Sequence, residues 1–175
     1  FYSTTLSPLR QRYVEALCRE MQLRPLTSGQ IETVYLGGGT PSTLSREQLE
    51  LLFHHIYKVY PIAPNAEVTI ECNPDDVCSP DFALPAPVNR VSMGAQTFND
   101  GRLHFIRRRH SARQVDEAVS RLRAMGIRNV SIDLIFGFPG ETLDEWQNDI
   151  DHALALQVEH ISAYSLMYEE GTPLY

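Results

Sequence analysis

Apolar residues recur along this chain in two rhythms. In the segment 7–23, SPLRQRYVEALCREMQL, the residues Leu9, Tyr13, Leu17 and Met21 repeat every fourth position, which predicts a helix with one apolar stripe. Ser7 is placed to cap it, and Pro8 suits its first turn. In 45–60, Ser45 and Gln48 form a capping box ahead of Leu49, Leu52, Phe53 and Ile56, a second helical face that Pro61 and Pro64 end. Helices are also predicted over 111–125, capped by Ser111 and stopped by Gly126, and over 143–156, capped by Thr142. Short β-branched runs at 32–36, 67–72, 89–98, 129–137 and 160–168 read as strands. Strands separated by helices imply a parallel sheet with the helices outside. The tightest connection is 73–88, NPDDVCSPDFALPAPV, where the prolines leave room for only a short helix.

Strands covered on both faces of a parallel sheet are apolar nearly throughout. These strands alternate instead. Val68, Ile70 and Cys72 oppose Thr69 and Glu71; Val91, Met93 and Ala95 oppose Ser92, Gly94 and Gln96; Val130, Ile132, Leu134 and Phe136 oppose Ser131 and Asp133. One face therefore packs on helices, and the other carries small or polar groups ending in Glu71, Gln96 and Asp133, at the carboxyl ends where α/β folds bind ligands. Two readings stand: a buried polar network bonded to backbone, or a polar lumen holding a ligand. Recurrence on three strands in step favours the lumen. A curved sheet turns one continuous face inward, so the expected fold is α/β, part of a (β/α) barrel.

The stretch VYLGGGTPSTLS, 34–45, ends the first strand in Gly37, Gly38 and Gly39. A dinucleotide fingerprint needs a third glycine where Ser42 stands, and the phosphate-loop pattern is absent. Pro41 removes an amide donor, so the loop is no full phosphate nest. Three glycines at a barrel mouth instead let backbone groups meet a ligand edge; a tight turn without a ligand is the plainer reading.

Composition narrows the function classes. At 175 residues, 43% hydrophobic, the chain suits one domain with a real core. A formal net charge of −7 lacks the basic footprint of a nucleic-acid binder. The run RRRH at 107–110 reads by itself as a solvated helix start. No apolar run approaches the roughly 18 residues of a membrane span, and no signal peptide is evident. Cys18, Cys72 and Cys78 match no disulfide or zinc framework, so a reducing cytoplasm is the default. His54, His55, His104, His110, His152 and His160 show no metal spacing and read as surface or helix-end residues. Trp146 reads as packing, Cys72 as a small apolar residue facing the helices, and Tyr164 and Tyr168 as either core filling or lumen lining.

In order along the chain stand YLGGGTPSTLS, TIECNP, NRVSMGAQTF, RRRH, SIDLIFGFPGET, HISAYSL and TPLY. Together they resemble the radical S-adenosyl-L-methionine (SAM) core of the oxygen-independent coproporphyrinogen III oxidase family, over essentially the whole chain. The resemblance implies a partial (β/α)6 TIM-like barrel over 1–175, a glycine-rich loop that meets the aminoacyl end of SAM, and SAM contacts at Gly38, Gly39, Thr40, Glu71, Gln96, Arg108 and Asp133, with Met167 contributing through its backbone. Arg108 suits a carboxylate, and Glu71 and Asp133 suit ribose hydroxyls and an ammonium.

The family binds a [4Fe–4S] cluster on three cysteines spaced C-x3-C-x2-C, and this sequence has no such triplet. The resemblance places that loop just ahead of Phe1, a further domain beyond Tyr175, and a longer crossover at 73–88. The opening FYS resembles the heme chaperone, HemW-like, branch more than the porphyrinogen oxidases proper. The expectation is a heme-handling radical SAM protein whose partners are SAM, heme or porphyrinogen and an electron donor. This chain alone, lacking cluster ligands, is expected to be inactive. The alternative within the family is conversion of coproporphyrinogen III to protoporphyrinogen IX. A nicotinamide or flavin oxidoreductase is disfavoured, because Glu71 lies 32 residues past Gly39 (71 − 39) against about 20 in the fingerprint. A non-catalytic interaction module is disfavoured by the polar lumen.

Overall fold

The computed structural model describes residues 7–171; the opening FYS, the Ser7 side chain and the closing TPLY lie outside the described residues. Five strands form one sheet in sequence order: β1 (Ile31–Leu36), β2 (Ile62–Cys72), β3 (Arg90–Gln96), β4 (Asn129–Phe136) and β5 (His160–Ser165). Every neighbouring pair is parallel. The sheet curls into a half-barrel, as the alternation implied. The helices are α1 (Ser7–Leu23), α2 (Arg46–Val59), α3 (Pro74–Val77), α4 (Asp100–Phe105), α5 (Ala112–Ala124) and α6 (Leu143–Ala155).

The apolar set of each central strand forms the core. Val68, Ile70 and Cys72 on β2, Val91, Met93 and Ala95 on β3, and Val130, Ile132 and Leu134 on β4 are all buried, against Leu49, Leu52, Phe53 and Ile56 of α2 and Val115, Ala118, Val119 and Leu122 of α5. Burying each large aliphatic side chain stabilises the fold by roughly 1.5–3 kcal/mol. The capping boxes at Ser45–Gln48, Ser111–Gln114 and Thr142–Glu145 start α2, α5 and α6, and Gly126 follows α5 with φ 89°. Trp146 packs as expected, its ring centroid 5.4 Å from that of Phe136.

The structure departs from the pattern at several places. On α1 the buried face is Val14 and Cys18, with Leu17 and Met21 partly covered; Leu9 and Tyr13 are exposed, because a strict spacing of four drifts around a 3.6-residue helix. Strand β2 starts at Ile62 and runs through Pro64, which the ladder accommodates by a register shift between Ile31 and Thr33. Strand β5 stops at Ser165, and neither Tyr164 nor Tyr168 fills the core: both are exposed. His110, expected at the surface or a helix end, precedes the Ser111 cap and is buried, with Nε2 3.1 Å from the Ala95 carbonyl. The short crossover 73–88 holds only the four-residue α3, yet β2 and β3 pair in parallel. Asn89 helps: its side chain accepts from Val68 N–H and donates to the Ala66 carbonyl, both at 2.8 Å, before β3 begins.

Candidate functional site

The glycine loop follows β1, and its glycines serve different needs. Gly38 and Gly39 adopt φ 77° and 64°, the left-handed region, and a Cβ on either would meet nothing within 4 Å. Gly37 needs space instead: a Cβ there would lie 2.8 Å from Glu71 Oε1 and against the Tyr35 ring. Beyond the loop, Thr40 precedes a 3-10 turn at Pro41–Thr43, and its carbonyl accepts from the Thr43 amide and hydroxyl.

Glu71, the penultimate residue of β2, joins this loop to the sheet. Its Oε2 accepts from Gly38 N–H at 2.9 Å and its Oε1 from the Tyr35 hydroxyl at 2.8 Å. Partial burial of the Tyr35 phenol, then donation to Glu71, push its pKa up to about 12. Ser92, the partner of Glu71 across the β2–β3 ladder, opposes that rise.

Gln96 ends β3 in a strained conformation. Its φ is 70°, uncommon for a residue with a Cβ, and it is almost fully buried. The β3–β4 register slips between Met93 and Gln96, an extra residue that bends the strand end. The bend folds the Gln96 amide over Gly94: a Cβ on Gly94 would lie 2.5 Å from Gln96 Nε2 and 3.6 Å from Arg108 Nη2. A glycine in mid-strand thus makes room for two polar side chains.

Arg108 is aimed by the end of α4, an element the sequence pattern did not reveal. Arg107 takes φ 56°, its N–H bonds to the His104 carbonyl, and Arg108 N–H reaches back to the Leu103 carbonyl at 2.8 Å. This is the Schellman turn, with arginine in the place usually held by glycine. It parts the three arginines. Arg107 is exposed, Arg109 pairs outside with Asp75 at 2.8 Å and Asp76 at 3.2 Å, and Arg108 turns inward to Asn73 Oδ1 at 3.3 Å. Burial lowers the Arg108 pKa, opposed by Asp75 and Asp133. Burial raises the pKa of Asp133, opposed by a hydrogen bond from Ser162, its ladder partner on β5; the charge of Glu71 raises it further.

Glu71, Gln96, Arg108 and Asp133 therefore converge on one concave face at the carboxyl ends of β2, β3 and β4, beside Gly38. Two hollows lie elsewhere: one of about 400 Å³ between α2 and 84–87, another of about 260 Å³ at the α1–β1 edge. Met167 follows β5 by two residues and is exposed. The sequence pattern does not single out Tyr35 or Asn73. Tyr35 had a signal: alternation puts it opposite the buried Leu36, and the register pairs it with Thr69.

A profile of the radical SAM superfamily matches residues 2–153. The chain belongs to that superfamily. The heme chaperone HemW of Bacillus subtilis is 41% identical over 168 residues, 93% of this chain and 44% of that protein. The HemW of Escherichia coli is 34% identical over 145 residues, 82% of this chain and 38% of that protein. Among solved structures, coproporphyrinogen III oxidase (HemN) from Escherichia coli, a radical SAM enzyme, superposes with a TM-score of 0.80 at 25% identity, covering 95% of this chain and 39% of that one. The chain thus spans less than half the length of these relatives.

The superfamily implies SAM and a [4Fe–4S] cluster. The donor set at the strand ends fits a zwitterion: the Arg108 guanidinium and the Asp133 carboxyl, both partly desolvated, lie on one face with Glu71. The cysteines do not fit a cluster. Cys18 lies buried on α1, Cys72 lies buried on the helix-facing side of β2 with its thiol pKa raised by burial, and Cys78 follows α3. Among the described residues no group of three His, Cys, Asp or Glu side chains is placed to hold a metal, and no helix is long and apolar enough to cross a membrane.

Proposed function

We propose that this chain is the SAM-binding partial barrel of a cytoplasmic heme chaperone of the HemW type, one domain over 1–175. The observation that carries the reading is the meeting of Arg108, Asp133, Glu71 and Gln96 beside the left-handed Gly38 and Gly39. Arg108 holds the SAM carboxylate through its planar fork. Glu71 and Asp133 accept from the ammonium and ribose hydroxyls, and the Gln96 amide can both donate and accept. Gly38, Gly39 and Thr40 line the aminoacyl end, and the backbone at Met167 closes the opposite wall. The [4Fe–4S] cluster of the superfamily would need thiolates other than Cys18, Cys72 and Cys78, and would supply reducing power from an external electron donor. Heme is the cargo.

The similarity to HemN favours a second reading, oxidative decarboxylation of coproporphyrinogen III. One experiment separates the two. The cluster-loaded, full-length protein is given SAM and either heme or coproporphyrinogen III under anaerobic conditions. SAM binding with heme capture and unchanged porphyrinogen supports the chaperone. Formation of protoporphyrinogen IX makes it the oxidase, and absence of SAM binding rejects both.

A further inference from the structure

The Tyr35–Glu71 bond is the least expected feature of the strand ends, because Tyr35 is 56% exposed and edge tyrosines need no partner. Three observations make it a built contact. The hydroxyl donates to Glu71 Oε1 at 2.8 Å while Gly38 N–H donates to Oε2 at 2.9 Å, so each carboxylate oxygen is fixed by a different donor. The ring lies so close over Gly37 that a Cβ there would come within 2.9 Å of Tyr35 Cδ1, so the glycine seats the ring. Ser92, across the ladder from Glu71, acts on the same phenol, opposing the rise in its pKa.

We infer that Tyr35 is a positioning residue for SAM recognition: it clamps Glu71 in the one rotamer that both holds the Gly38 amide and presents the carboxylate to the ligand. The inference rests on the reading of these strand ends as a SAM site. A carboxylate has about four acceptor sites, and two clamping donors leave about two for an ammonium or a hydroxyl. A flexible glutamate would have to be ordered on each binding event; a clamped one is ordered beforehand. The phenol remains a donor throughout the physiological range, because its ionisation lies far above it.

The test is a double-mutant cycle in the cluster-loaded, full-length protein, with SAM affinity read by anaerobic calorimetry. Tyr35→Phe should weaken SAM binding by about 5- to 20-fold, the loss of one bond to a charged acceptor, with cluster content and melting temperature unchanged. Tyr35→Phe added to Glu71→Ala should cost nothing further, since the phenol acts only through this side chain. In the free protein, Glu71→Gln should move one phenolate transition in the near-ultraviolet titration to lower pH. Wild-type binding of SAM with an unaffected Tyr35→Phe variant, or with losses that multiply across the cycle, overturns the inference while leaving the site intact. A wild-type protein that binds no SAM overturns both.

Discussion

Arg108 Nη1 donates to Asn73 Oδ1 at 3.3 Å, and this bond ties the turn after α4 to the crossover after β2. Asn73 is itself anchored, its N–H donating to Ser42 Oγ at 3.3 Å, and Ser42 donates onward to Asp76 at 2.6 Å. The glycine loop, the end of β2 and the inward arginine are thus one hydrogen-bonded unit.

The first prediction separates the three arginines. Arg108→Ala should weaken SAM binding by about 10- to 100-fold, the loss of a charged fork on a carboxylate, whereas Arg107→Ala leaves affinity within about twofold. Arg109→Ala should cost a little stability through Asp75 and Asp76 but little affinity. Asn73→Ala should fall between, since Arg108 remains but loses its guide. Equilibrium binding of the four variants checks this, and equal losses at 107, 108 and 109 would return RRRH to a solvated run.

The glycines make a second prediction, because their needs differ. Gly38→Asn should be tolerated better than Gly38→Val, since asparagine enters the left-handed region with less strain. Gly37→Ala should not be rescued by any such choice: its Cβ meets Glu71 Oε1 and the Tyr35 ring. Its SAM affinity should fall as in Tyr35→Phe or further, with only a small change in melting temperature. An alanine at 37 with wild-type affinity would show that the ring can shift freely.

The alternation was enough to see the half-barrel and the shared face of Glu71, Gln96 and Asp133, because side-chain direction in a strand has a period of two. Arg108 became a candidate only through the family resemblance. Nothing local predicts that Arg107 would take the glycine place in a Schellman turn, and the six-residue α4 is too short to show a period. Alternation puts Gly94 on the inward face as a small residue, but its purpose depends on the bend at Gln96, a register slip that no single strand encodes. The Tyr35–Glu71 bond spans 36 residues and became visible only when β1 and β2 were paired.

Asp133 gives a trade-off between stability and binding. Burial raises its folded-state pKa, so its contribution is favourable at low pH and is lost as pH rises through that raised value. At neutral pH the ionised carboxylate therefore strains the ligand-free fold. Asp133→Asn should raise the melting temperature of the free protein at neutral pH by a few degrees and narrow the difference between acid and neutral pH, while weakening SAM binding by about tenfold or more. Calorimetry of both proteins with and without SAM reads this directly. A variant that melts lower than wild type at neutral pH would show that Asp133 supports the fold.

His110 sets the acid side. Its ring is buried against β3; burial lowers its pKa, Arg108 lowers it further, and the Ala95 carbonyl, Asp75 and Asp100 oppose the shift. For a histidine with a depressed folded-state pKa, stability is present above the unfolded value near 6.5 and is lost as pH falls through the folded one. Urea unfolding should therefore show wild-type stability dropping as pH falls below about 6.5, above the range where Glu145, whose pKa is lowered by hydrogen bonds and Arg102, begins to protonate. His110→Gln should be less stable than wild type at about pH 7.5, having lost a fitted ring, yet should show a clearly smaller drop across the same window. Parallel curves for the two proteins would mean that another group carries the acid sensitivity.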